Sequence, residues 1–438
     1  MKRLIRSLVP EPILNVYHRL LAHVAAVWYR HPSRELIVVG VTGTNGKSST
    51  VQFIGRLLEH AGHRVGWTTT ASFKLAEHEW VNDQKMTMLG RFQTQKRLRE
   101  MVTAGCTHAI IETSSQGILQ SRHIGIDYKM AVFTNLTPEH IEAHGGFKAY
   151  KRAKGELFAV ATDSIIVNLN DEHAKYYLSF DALNYGGFAI DQVGELGTQL
   201  TLPPVIAKDV NYESSCTTFK WNDQVVHFKP VGRFNLENAL AAASVARALG
   251  LNQELVVDGI EQLESVPGRL ERIEEGQPFD VIVDYAYEPA ALGAVYEALE
   301  LIQTDGKLIH IVGSAGGGRD VARREILGKM SAENDDIVIV TNEDPYDEDP
   351  LQIINDVADA AALAGKQEGV DLLRILDRQE AIDRAIDLAH SGDIVLITGK
   401  GSEPVMAVDQ GKKVPWDDRV AARRALHNRY GRTKVSST

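Results

Sequence analysis

The run Ile37-Val38-Val39-Gly40-Val41-Thr42-Gly43-Thr44-Asn45-Gly46-Lys47-Ser48-Ser49-Thr50 constrains this chain more than any other stretch. Four β-branched residues in its first five positions predict a buried strand. Val51, Phe53, Ile54, Leu57 and Leu58 then recur at helical spacing. A strand that feeds through a Gly-containing turn into a helix opening Lys-Ser has the layout of a phosphate-binding loop. Backbone N–H groups and the helix N-terminus attract anions there. Lys47 can reach β- and γ-phosphate oxygens, and the Ser48 hydroxyl can ligate Mg²⁺. The candidate cradle is therefore Gly43, Thr44, Asn45, Gly46, Lys47 and Ser48. The strict pattern would place Gly at position 41; Val41 stands there, so this is a variant of the loop.

The rest of the composition narrows the class. A chain of 438 residues should hold two to three domains. Hydrophobic content of 44% and charged content of 24% fit a globular protein. A net charge of −11 argues against a nucleic-acid binder, which is normally basic. Cys106 and Cys216 are too few and too far apart for a zinc ribbon, and read as thiols of a reducing, cytoplasmic compartment. Lys2, Arg3 and Arg6 are followed by no clean apolar run with a cleavage site, so no secretory signal is read. From Ile13 to Trp28, apolar residues at 13, 17, 20, 24 and 27 form a wide helical face. Two readings apply: a helix packed on the first domain, or an interfacial helix making peripheral contact with a membrane or a lipid-linked substrate.

Strand and helix patterns alternate along the chain. Helix 48–61 precedes a strand near 64–69, helix 93–103, strands 107–112 and 130–134, helix 147–161 and strand 164–168. This βαβ rhythm predicts an α/β fold with a parallel sheet covered by helices. Ligands in such sheets bind beyond the carboxyl ends of the strands, where the 43–48 loop, Glu112 and Asn135 fall. Residues 180–232 change texture, and suggest antiparallel β structure inserted at a sheet edge. A second, Rossmann-like unit follows, with strands near 281–284, 308–312, 337–341 and 394–398. The expected divisions are an N-terminal helical segment 1–35, a central ATP-binding domain 36–265 and a C-terminal Rossmann-like domain 266–438.

Several polar residues sit where chemistry would occur. Glu112 ends a strand in Ile110-Ile111-Glu112-Thr113-Ser114-Ser115, where a carboxylate can hold Mg²⁺. His140 lies just past another strand, and Lys154 lies in Tyr150-Lys151-Arg152-Ala153-Lys154. Glu343–Asp349 holds five acids in seven positions and reads as a solvated loop. Gly316-Gly317-Gly318-Arg319-Asp320 has two readings, a nucleotide loop or a flexible turn near the site.

Taken in order, these segments resemble the ATP-dependent Mur ligases, and within them the MurE type. The resemblance runs from about residue 36 to 427. It rests on Val41–Ser48, Glu112-Thr113-Ser114-Ser115, Thr134-Asn135-Leu136 with His140, and Tyr150-x-x-Ala153-Lys154. Further segments are Gly232-Arg233-Phe234-Asn235-x-x-Asn238, Gly268-Arg269-Leu270-Glu271, Val283-Asp284-Tyr285-Ala286, Asp344-Pro345 and Gly399-Lys400-Gly401-x-Glu403. The resemblance implies ATP-dependent amide ligation through an acyl phosphate, in the synthesis of a peptidoglycan precursor. Lys47 and Ser48 would cradle phosphate and Mg²⁺. Ser48, Glu112, His140 and Lys154 would hold metals, two Mg²⁺ in all. Lys154 matches the family's carbamylated lysine, whose burial favours the neutral amine that captures CO₂. Asn238 would contact adenine, Asp284 the ribose and Arg269 the γ-phosphate, so that ATP would sit between two domains. Lys47, Lys154, Arg269 and His140 form the implied catalytic set. Ser114, Arg122, Glu343, Asp344 and Glu403 form the implied substrate set. Muramyl peptide, amino acid and ATP are the implied partners, and the chain is expected to act as a monomer.

The sequence also departs from the MurE pattern. About 35 residues precede the first strand, too few for the family's UDP-gripping domain. The usual Asp-Asn-Pro-Arg reads Glu343-Asp344-Pro345-Tyr346, and Tyr346 cannot form a bidentate pair with a carboxylate. Gln116 and Tyr287 stand where the family has His. Three functions remain open: a muramyl-peptide ligase, a folylpolyglutamate synthase-like or polyglutamate-forming ligase, and a nucleotide-binding protein without turnover.

Overall fold

The computed structural model describes residues 11–84, 86–138, 144–302, 305–318 and 321–431. The chain divides near residue 263 into two compact units.

The first unit is built on an eleven-stranded sheet. Its strands are β1 (Ile37–Thr42), β2 (Val65–Thr68), β3 (Ser72–Leu75), β4 (His78–Val81), β5 (His108–Glu112) and β6 (Tyr128–Phe133). Beyond these lie β7 (Ser164–Asn168), β8 (Asn184–Ile190), β9 (Val205–Tyr212), β10 (Thr217–Trp221) and β11 (Gln224–Phe228). Their spatial order is 11-10-9-8-7-6-1-5-2-3-4. β1 lies between β5 and β6, parallel to both, with Val41 opposite Glu112 and Thr42 opposite Phe133. This register sets the carboxyl ends of three strands side by side. The loop after β1, the Glu112 carboxylate and the Thr134-Asn135 turn therefore converge. The edge insertion is more parallel than the sequence suggests: β8 and β9 continue the parallel sheet, and β10–β11 form an antiparallel hairpin. At the opposite edge, β2, β3 and β4 run antiparallel.

Helices α1 (Glu11–Trp28), α2 (Lys47–His60), α3 (Arg91–Thr103), α4 (Ser115–Leu119), α5 (Phe147–Val160), α6 (Arg233–Ala248) and α7 (Gln253–Glu261) belong to this unit. Because helices cover both faces of the parallel sheet, its strands are continuously apolar rather than alternating. Gly40 marks a close approach of β1 to its neighbours: a Cβ there would lie 2.8 Å from Leu157 Cδ1 and from Tyr128 Cε1.

α1 packs on its unit, as one of the two readings expects, but through its small residues rather than its large apolar ones. Ala22, Ala25 and Ala26 are the buried residues, and a Cβ on Gly125 would touch Ala22 O at 3.0 Å. Small side chains let the helix seat closely on this loop. Ile13, Val16, Tyr17, Leu20, Val24, Val27 and Trp28 point outward.

The second unit carries a six-stranded sheet of β12 (Glu271–Arg272), β13 (Asp280–Val283), β14 (Leu308–Val312), β15 (Ile337–Thr341), β16 (Leu372–Ile375) and β17 (Ile394–Ile397), in the order 12-13-17-14-15-16. All its pairs are parallel except β12–β13. Around it lie α8 (Pro289–Glu300), α9 (Ala322–Asn334), α10 (Pro350–Leu363), α11 (Arg378–Leu388) and α12 (Asp418–Tyr430). A hairpin, β18 (Val405–Val408) and β19 (Lys412–Pro415), follows β17. The core joins Ile309, Ile311, Val395 and Ile397 to Ile382, Ala422 and Leu426. Buried Arg378 ties α11 to α12 through both oxygens of Asp418, at 2.8 and 2.7 Å, and donates to Thr398 O at 2.6 Å.

The α2–β2 contact yields a test. A Cβ on Gly55 would lie 2.6 Å from the buried Trp67 ring. Gly55→Ala should destabilise the first unit by roughly 1–3 kcal/mol through overpacking. The readout is the denaturant midpoint, and an unchanged midpoint would mean that α2 can lift off the ring.

Candidate active site

The loop after β1 is shaped by two glycines. Gly43 has φ 157° and Gly46 has φ 79°. At Gly43 a Cβ would overlap Thr134 Oγ1; at Gly46 it would overlap Asn238 Oδ1. The turn after β6 grips the loop. Thr44 N donates to Asn135 O and Asn45 N to Asn135 Oδ1, both at 2.8 Å. Thr134 Oγ1 donates to Asn45 O at 2.7 Å. Helix α2 starts at Lys47 with no side-chain cap, and the first N–H groups of a helix have no partner within it. An uncapped N-terminus behind a glycine turn is a ready anion site. Lys47 Nζ curls onto Thr44 O at 2.6 Å, which sets its ammonium at the loop.

Three polar groups meet this loop from other elements. Ser48 Oγ donates to Glu112 Oε2 at 2.7 Å, and both residues are buried. Thr70 fixes the same carboxylate, with its N–H 2.7 Å from Oε2 and its hydroxyl 3.1 Å from Oε1. Lys154, on α5 and 1% exposed, donates to Gly43 O at 2.6 Å. Its ammonium lies 4.4 Å from the Tyr150 ring centroid. His140 lies outside the described residues. Among the described residues no group of three His, Cys, Asp or Glu stands ready for a metal. Hard oxygen donors from Ser48 and Glu112 nevertheless suit Mg²⁺. Asn238 lies against Gly46 of the loop: Thr50 Oγ1 donates to its Oδ1 at 3.1 Å, while among the described residues its buried Nδ2 has no hydrogen-bond partner.

Beyond Glu112 the chain turns into α4. Ser114 caps that helix, accepting from Gly117 N at 3.2 Å, so its hydroxyl is engaged locally. Arg122 donates to Gln120 Oε1 at 2.7 Å and to Met88 O. Arg91, absent from the sequence reading, donates to Gln120 O. Burial and the charge of Arg122 lower the Arg91 pKa. Two guanidiniums thus share a half-buried corner, a setting that favours anions. Arg91 and Thr70 carry no motif of their own; only the strand order brings them here.

In the second unit, buried Asp284 accepts from Leu270 N at 2.7 Å and from Ala286 N at 2.6 Å. It holds Leu270 in a left-handed conformation, φ 45°. Burial raises its pKa, and nearby Arg269 opposes that shift. The Arg269 guanidinium stacks 4.4 Å from the Tyr285 ring centroid.

The acidic run is not the solvated loop its composition suggests. Glu343 and Asp344 are buried, and Glu348 pairs with Arg324 at 2.6 Å. Both oxygens of Asp344 bond Lys400 Nζ at 3.0 Å. Glu403 accepts from Tyr285 OH at 2.9 Å and from Lys400. Glu343 Oε2, by contrast, is buried and has no hydrogen-bond partner among the described residues. Burial is the main cause that pushes the Glu343 pKa up to about 7; Arg323 works against it and Asp344 with it. In the glycine run, Gly316 N donates to Asp344 O at 2.9 Å and Gly318 N to Glu348 Oε1 at 3.2 Å.

Comparison with known proteins places these features. The Mur ligase middle domain matches residues 41–246, and the Mur ligase glutamate ligase domain matches residues 268–401. A UDP-N-acetylmuramyl-tripeptide synthetase of Roseiflexus sp. (strain RS-1) is 37% identical, over 95% of this chain and 84% of that protein. The chain belongs to the Mur ligase family. As a MurE-like Mur ligase it is an ATP-dependent carboxylate–amine ligase of peptidoglycan precursor synthesis, with ATP and Mg²⁺ as cofactors. A solved UDP-N-acetylmuramoyl-L-alanyl-D-glutamate–2,6-diaminopimelate ligase superposes with a TM-score of 0.60 at 29% identity, covering 90% of this chain and 79% of that one. A Mycobacterium tuberculosis folylpolyglutamate synthase reaches a TM-score of 0.68 at 17% identity, covering 94% and 95%; that likeness is one of fold.

Glu343 gives this Mur ligase a pH signature. A carboxyl group whose folded pKa lies above its unfolded value holds its proton more tightly when folded. Its contribution to stability therefore falls as pH rises from about 4.5, and levels off above about 7. Relative to Glu343→Gln, the parent protein should lose on the order of 1–3 kcal/mol across that window. Urea midpoints of both proteins at each end of the window measure it, and parallel profiles would refute it.

Proposed function

We propose that this chain joins an amino acid to the free carboxylate of a muramyl peptide, with the residues around the 43–48 loop carrying the phosphoryl step. The observation that carries the reading is the joining of Ser48 to Glu112 at 2.7 Å beside an uncapped helix N-terminus. A carboxylate is a poor electrophile because oxide is a poor leaving group; once phosphorylated, it loses phosphate readily. The difficulty is bringing two anions together, and fixed positive charge offsets their repulsion. In this assignment the loop N–H groups and Lys47 hold the nucleotide phosphates. Asn238 offers its spare Nδ2 to the base, and the family resemblance assigns Asp284 to the ribose and Arg269 to the γ-phosphate. Ser48, Glu112, His140 and a carbamylated Lys154 are assigned to metal. Bound Mg²⁺ would screen the phosphate oxygens during transfer.

Arg91 joins Arg122 as a contact for the acceptor's acidic groups. Glu343, whose Oε2 is unspent, is assigned to the incoming ammonium, which makes it a stronger candidate than Asp344 or Glu403. Tyr346, held at φ 53°, offers no guanidinium for a side-chain carboxylate. That favours an amino acid other than diaminopimelate, such as lysine. The need for ATP and the free thiol of buried Cys106 support a cytoplasmic setting.

Phosphate release with a panel of acceptors and amino acids tests the reaction. Release should require a muramyl peptide, UDP-linked or unlinked, together with one amino acid. Release with folates or glutamate chains instead would overturn the acceptor assignment.

Lys154 provides a second test. Lys154→Ala should lower kcat by roughly a hundredfold or more, as loss of a charge-stabilising group at a phosphoryl site does. Short-chain carboxylic acids should restore part of that rate by standing in for the carbamate. Full activity in the bare variant would remove the role.

A further inference from the structure

None of the residues assigned above to the ligase chemistry lies on α1. Its seven large apolar residues recur at three- and four-residue spacing, and each is 45–74% exposed. The helix buries its alanines instead, so the described residues of its own unit leave this stripe uncovered. Contiguous exposed apolar patches of this kind mark interaction surfaces.

A second feature borders the stripe. Arg19 follows Val16 by three residues, and His23 follows Leu20 by three and precedes Val27 by four, so both flank it. Arg19 and His23 line a cavity of about 600 Å³ together with His123 and Lys129. Its one lining carboxylate among the described residues, Asp127, already accepts from Arg34 Nε at 3.1 Å. His123 is buried, and among the described residues neither of its ring nitrogens has a hydrogen-bond partner. Charge follows the same pattern. Residues 1–35 hold six Lys/Arg against two Glu, a local +4 in a chain of −11. No described helix is long and apolar enough to cross a membrane.

We propose that α1 lies in the plane of a membrane surface, with its stripe in the acyl boundary and the Arg19–His23–Lys129 cavity receiving the phosphate of an anionic lipid headgroup. An amphipathic helix with basic flanks binds in this way, by apolar burial plus attraction to anionic lipid. A second copy of the chain fits less well. A two-fold contact through the stripe would gather Arg19 and His23 of both copies about one axis. The proposal is independent of which amino acid is ligated.

The test is co-sedimentation of the full chain with vesicles of phosphatidylcholine alone and of phosphatidylcholine with phosphatidylglycerol. Binding should be roughly tenfold tighter to the anionic vesicles and should weaken with salt. Leu20→Glu with Val24→Glu should lower binding by roughly tenfold or more while the ligase rate in free solution stays unchanged. Leu20→Ser, a milder change, should weaken it in the same direction. Arg19→Gln with Lys129→Gln should cut the preference for anionic lipid by about fivefold per charge. Absence of vesicle binding, or equal binding by the Leu20/Val24 variant, would overturn the proposal. Equal affinity for the two vesicle types would overturn the headgroup assignment. A dimer in sedimentation equilibrium that the Leu20/Val24 variant dissolves would assign the stripe to a second copy instead.

Discussion

The grip of the β6 turn on the β1 loop is the constraint on which the site depends. Asn135 uses both its backbone carbonyl and its side-chain oxygen to hold Thr44 N and Asn45 N, while Thr134 returns a bond to Asn45 O. A free glycine-bearing loop would sample many conformations, and ordering it on ligand binding would cost entropy. Here the ordering is done by the fold. The same loop then receives Lys154 at Gly43 O and presents Ser48 to Glu112. Each of these partners comes from a different element. The site therefore exists only because β5, β1 and β6 are neighbours in parallel register.

Charge is handled differently in the second unit. Buried acids there are mostly committed: Asp418 to Arg378, Asp344 to Lys400, and Asp284 to two backbone N–H groups. A buried charge without such partners is costly, and it responds by holding its proton more tightly. Glu343 is in that position, which sets it apart from the committed acids around it. Arg378 bonds Asp418, Thr398 O and Asn342 O together, so one buried cation joins two helices and two strand ends.

Much of this was legible in the residues. The apolar runs of the parallel strands, the Gly43–Ser48 turn and the strand-end Glu112 all lie where local pattern places them. Strand-end position also singled out Asn135, though not its task of holding the loop. Less legible were β16, the β18–β19 hairpin and the parallel run of β8 and β9. Their partners lie far away in sequence, and short strands of mixed polarity carry little signal of their own. Arg91 and Thr70 escaped for the same reason: each becomes meaningful only through a neighbour more than twenty residues distant.

α1 and the acidic run mark the limit most clearly. Periodicity establishes that residues 13–28 form an amphipathic helix, but not which way it faces, because alanines can seat a helix as well as larger side chains can. Composition suggests that Glu343–Asp349 is solvated, yet Lys400 and Arg324 arrive from elsewhere to meet it. Local secondary structure and the candidate residues of the 43–48 turn follow from covalent neighbours and hydrophobic period alone. Orientation, burial and the spending of charge depend on contacts between residues far apart in the chain, and those come into being only when the sheets assemble.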